Sequence, residues 1–147
     1  MNHLENSKTV SKIGTADTAS TGTHQQSIDT LGFSYASIDV IFEPVVAAGT
    51  NSAVAIALKL QESDTDGSFS DISGFVGGTD FTIPTPSNTS DTNVVRFDVS
   101  TRGRKRYLNV YATPNAASVI ASNARLGKGE DGPNSASKKG AGAAVSG

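Results

Sequence analysis

The 147-residue chain has no cysteine and no tryptophan, only two histidines, and 6% aromatic residues. Without cysteine, no disulfide braces the fold and no thiol serves as nucleophile or ligand. Without tryptophan, sugar-stacking platforms and aromatic-lined clefts are poorly supplied. His3 and His24 both fall in a polar N-terminal stretch, where solvated side chains are expected. No serine sits in G-x-S-x-G, and Gly127, Gly129 and Gly132 lack the strand-then-helix setting of a phosphate loop. No apolar run approaches the ~20 residues of a membrane span. The opening MNHLENSKTV has no basic region followed by an apolar one, so no secretion signal is expected. Twelve basic against fourteen acidic residues give a net charge of −2, which argues against a nucleic-acid partner. Carboxylate pairs such as Asp64 with Asp71, or Asp39 with Glu43, are what any acidic β-protein offers by chance. No enzyme activity, catalytic residue or cofactor is expected.

What remains is short apolar alternation between turn signals. In Val54–Glu62, Val54, Ile56, Leu58 and Leu60 fall on every second position, the mark of a half-buried strand. Ser63-Asp-Thr-Asp-Gly67 then turns the chain, with Asp66-Gly67 tolerating positive φ. Ser68–Ile72 alternates on the way back, so the stretch reads as a hairpin. Ser34–Val46 carries Ala36, Ile38, Val40 and Phe42 on one face. Asn93–Ser100 does the same with Val95, Phe97 and Val99, and Lys105–Thr113 with Leu108, Val110 and Ala112. Weaker candidates are Thr9–Ile13, His24–Thr30, Asp80–Ile83 and Ser118–Leu126. No 3.6-residue period persists, so no helix is expected. Seven to nine short strands predict an all-β chain: a single antiparallel β-sandwich, jelly-roll-like. Residues 33–127 are expected to form its core. Residues 1–32 read as an N-terminal arm with short edge strands. Residues 128–147, rich in Gly, Ala and Ser, read as a C-terminal tail with too little apolar surface to order alone.

The hairpin sequence K-L-Q-E-S-D-x-D-G-S-F-S-D-I, from Lys59 to Ile72, resembles a segment common in small structural proteins of tailed bacteriophages. A later K-R-Y-x-x-V strand often accompanies it, and here that is Lys105–Val110. The resemblance spans roughly 34–127, most of the chain but neither tail. It implies a capsid decoration or cement protein on the virion surface, made in the host cytoplasm. Its implied partners are a major capsid protein and neighbouring copies of itself, a trimer before a dimer, with neither nucleic acid nor membrane. A β-sandwich binding module, adhesin-like or carbohydrate-binding, is the alternative.

Two polar clusters stand out. Asp64-Thr-Asp66-Gly67 begins like a calcium loop but lacks the closing bidentate Glu, and only Asp71 is near. A plain hairpin turn and no metal are expected. Arg102, Arg104, Lys105 and Arg106 put four positive charges into five residues. Like charges this close repel unless solvated or paired. These four are therefore the candidate partner contacts.

Overall fold

A computed structural model describes residues 6–14, 22–43, 53–85, 93–115 and 118–129. The described residues form eight strands: β1 (Lys8–Ile13), β2 (His24–Asp29), β3 (Phe33–Phe42), β4 (Ala55–Ser63), β5 (Ser70–Val76), β6 (Val94–Ser100), β7 (Tyr107–Pro114) and β8 (Ile120–Gly129). No helix occurs among them. Two antiparallel four-stranded sheets run in the orders β1-β8-β3-β6 and β2-β7-β4-β5. Their inner faces share one buried apolar cluster, from Ile28 in β2 to Leu126 in β8, which makes the fold a β-sandwich.

Alternation decides which side chains enter that cluster. Ala36, Ile38, Val40 and Phe42 of β3 are buried, as are Phe97 and Val99 of β6 and Leu108, Val110 and Ala112 of β7. Phe97 is the aromatic centre, with Phe75 and Phe81 packed edge-on at centroid distances of 5.9 and 5.6 Å. Val95 is only partly buried against the cluster. The expected 1–32 segment supplies an edge strand to each sheet. Its Ile28 is fully buried, so β1 and β2 belong to the sandwich although they precede residue 33.

The pairings are nested. β1 pairs with β8, β2 with β7, β3 with β6 and β4 with β5, as in one long hairpin with the β4–β5 loop at its tip. Rolling that hairpin adds the β3–β8 and β4–β7 ladders.

Three local expectations are corrected. Ile56 does not enter the core and is 56% exposed. Ala55 pairs with Pro114 but Ala57 with Thr113, so two residues of β4 oppose one of β7. This bulge turns Ile56 outward and moves Ala55 into the core. Asp80–Ile83 is not a strand; its one ladder contact is the bridge between Phe81 and Gly77. The return arm of the hairpin does not alternate from Ser68. β5 begins at Ser70, and between the pairs Gln61–Asp71 and Lys59–Val76 four β5 residues oppose Leu60 alone. Gly74, with φ 90°, makes that excursion. The Asp80 carboxylate accepts the Gly74 and Val76 N–H groups at 2.8 and 2.9 Å. The end of the expected Ser34–Val46 strand and most of the 128–147 tail lie outside the described residues.

Candidate functional site

The four basic residues sit on the β6–β7 turn. The Arg104 N–H closes it onto the Thr101 carbonyl at 3.1 Å, and Gly103 takes φ 76°, where a side chain would be strained. The register β4–β7 brings this turn beside the β4–β5 loop, with Ser63 opposite Tyr107 and Glu62 opposite Leu108. Lys59–Asp64 and Lys105–Val110, the two motif segments of the sequence, are therefore neighbours in one sheet.

Own carboxylates meet three of the four charges. Arg106 grips Asp29 of β2 with both fork nitrogens, Nε–Oδ1 at 2.9 Å and Nη2–Oδ2 at 2.7 Å. Its guanidinium also lies 4.9 Å from the Tyr107 ring centroid. This pair holds the Asp29 carboxyl below its ordinary pKa, the Arg106 hydrogen bond being the main cause. Arg104 approaches Glu62 at 3.8 Å, and the Lys105 backbone N–H donates to the same carboxylate at 3.3 Å. The Lys105 ammonium lies 3.8 Å from Asp64. Arg102 is exposed and has no ion pair among the described residues. Four positive charges beside Asp29, Glu62 and Asp64 leave a surface far closer to neutral than the sequence run suggests. The hairpin motif is thereby used: Glu62 and Asp64 anchor the basic turn.

A further carboxylate of the hairpin, Asp71, is taken up elsewhere. Asp71 accepts from Lys59 at 2.9 Å and from Gln61 at 2.7 Å, which lowers its pKa, the Lys59 bond first. Among the described residues, no group of three His, Cys, Asp or Glu side chains is placed to hold a metal ion. Asp39 is bound by Arg96, and Glu43 accepts the Val119 N–H at 2.9 Å.

His24 corrects another expectation: it is not solvated but 5% exposed. In β2, His24, Gln26 and Ile28 point inward, a period of two hidden by polar residue types. Ser122 of β8 donates to Gln26 Oε1, so His24 Nε2–H donates to the Ser122 oxygen at 2.7 Å. That bond ties one sheet to the other. Among the described residues, His24 Nδ1 and the Gln26 amide nitrogen have no hydrogen-bond partner. Burial, and secondarily the nearby Lys12 ammonium, lowers the His24 pKa. Beside it lies a cavity of about 250 Å³ lined by Lys12, Gly14, Thr23, Ser118 and Ile120. Ser122 and His24 touch, yet the serine proton is committed to Gln26, and no described residue orients the ring through Nδ1. The arrangement is a cross-sheet tie.

No family model matches the chain, and neither a curated protein nor a solved structure matches it.

Proposed function

We propose that this chain is a structural virion protein that decorates and stabilises the outer capsid surface of a tailed phage. The observation that carries the reading is the pairing of the two segments resembling phage head proteins. Lys59–Asp64 and Lys105–Val110 lie side by side, joined through Glu62 and through the Asn109 amide donating to Gln61 at 3.0 Å. Residues that form one side-chain system fit a shared ancestral unit better than two chance matches do. The strand orders 1-8-3-6 and 2-7-4-5 support a jelly-roll reading of the sandwich, an architecture recurrent in viral capsid domains.

The role is mechanical. The sandwich lies on the shell, and its sheet edges bridge neighbouring capsid subunits by strand addition. Many copies then resist internal pressure through avidity. Arg102, without a carboxylate partner among the described residues, is the first of the basic cluster to meet an acidic patch on the capsid.

The test is uptake of the purified protein by phage heads assembled without it, followed by particle imaging and by mechanical or thermal challenge. Saturable binding at symmetry-related positions, with raised particle stability, is expected. No uptake, together with specific binding on a glycan array, would replace this reading with the carbohydrate-binding one.

A further inference from the structure

Among the described residues, four strands have a free edge: β1 and β6 in one sheet, β2 and β5 in the other. An unpaired edge invites another chain, and natural sandwiches blunt theirs. Three are blunted here. β1 carries Lys8 and Lys12. The Lys12 ammonium reaches the Gln25 carbonyl on β2 at 2.6 Å. β5 bends away at its bulge, and Asp80 occupies two of its N–H groups.

β6 shows none of these devices. VVRFDVS contains no proline, lysine or glycine, and pairs with β3 in unbroken register from Tyr35–Ser100 to Ile41–Val94. Its hydrogen-bonding phase follows from its two flanking bonds: the Phe42 N–H to the Asn93 carbonyl, and the Thr101 N–H to the Ser34 carbonyl. Asn93, Val95, Phe97, Val99 and Thr101 thus face β3. The N–H and C=O groups of Val94, Arg96, Asp98 and Ser100 point out of the sheet.

We infer that β6 pairs antiparallel with β6 of a second copy across a two-fold axis at Phe97, joining the two sheets into one of eight strands. The sequence is complementary to itself in that register alone. Arg96 lies opposite the second copy's Asp98, Asp98 opposite its Arg96, and Val94 opposite its Ser100. All four outward-facing residues of each strand then exchange both backbone hydrogen bonds. Moving the axis to residue 96 or 98 sets arginine against arginine or aspartate against aspartate, which disfavours the slip. Side chains on the outer face extend the match. Arg96 already holds Asp39 at 2.7 and 3.1 Å, and Asp98 accepts from Ser37 at 2.6 Å. Both charged groups are thereby oriented before the partner arrives. The contact is isologous and closes at two, in place of the trimer expected from the sequence. It does not depend on the capsid reading.

The absence of cysteine makes the register directly testable on the full chain. Opposed residues of a hydrogen-bonded pair sit about 5.5 Å apart at Cα, within disulfide range. Mixing Arg96→Cys protein with Asp98→Cys protein under mild oxidation should give a disulfide-linked heterodimer, one Arg96–Asp98 pair remaining intact. Neither variant alone should cross-link comparably. Sedimentation equilibrium of the unmodified protein should show a monomer–dimer equilibrium, and Asp98→Lys should weaken it at least tenfold while leaving the melting temperature of the dilute protein unchanged. A monomer at every concentration, no heterodimer from the mixture, or equal cross-linking by single variants would overturn the proposal.

Discussion

His24 is the residue whose setting departs furthest from its chemistry. A buried imidazole, beside an ammonium and bonded to a serine, is held neutral. Its folded pKa lies below the ordinary value, so the unfolded chain takes up the proton first. The stabilisation is therefore present above about pH 6.5 and is lost as pH falls through that value towards the lower folded pKa. Melting from pH 8 to pH 5 should show the midpoint of the wild type falling more steeply than that of His24→Gln. Parallel slopes would mean that His24 titrates alike in both states. Phe97 belongs to the same scale. It is buried and touched edge-on by two other rings, so Phe97→Ala should cost about 3–5 kcal/mol in denaturant unfolding. A loss under about 1 kcal/mol would contradict its central place.

Among elements, β4 and β5 show what alternation reveals and what it hides. Large apolar residues at every second position made β3, β6 and β7 legible, because a strand between core and solvent needs little else. Ile56 keeps that pattern in sequence but not in space, since a bulge shifts phase without changing residue type. Ile56→Ser should therefore alter stability by no more than about 0.5 kcal/mol, whereas Leu58→Ala should cost about 2–5 kcal/mol. Equal losses would remove the bulge from the account. The inward face of β2 was unreadable for the opposite reason: histidine and glutamine, satisfied in part by Ser122, stand where apolar residues were sought. Nor did any local signal couple Asp80 to Gly74 and Val76. Asp80→Asn weakens two charge-assisted bonds, and hydrogen exchange at those two amides should rise while core amides of β7 stay protected. Unchanged exchange would show that the excursion holds itself. The basic turn was legible as a cluster. Its partners Asp29, Glu62 and Asp64 lie up to 77 residues away, so only the fold brings them together.

At the scale of the molecule, the nested ladders make the fold depend on contacts distant in sequence, such as Lys8 with Leu126. Such topologies fold slowly, in about milliseconds to seconds. β7 is a central strand of one sheet and β8 of the other. A chain ending at Arg106 lacks both and should show no cooperative melting. A sharp transition in that fragment would mean that the remaining strands hold a core of their own.

The same order has a consequence on the ribosome. While the nascent chain ends before Tyr107, the β3–β6 and β4–β5 pairs can form, but each is a two-stranded ribbon with no third strand to cover it. β1 and β2, made first, must wait for β8 and β7, made last, since those are their ladder partners among the described residues. The early strands thus emerge polar, with lysines, glutamines and serines, and can stay hydrated through that interval. Strands β7 and β8 arrive when partners for both their edges already exist, so the last strands made are the ones that close the two sheets.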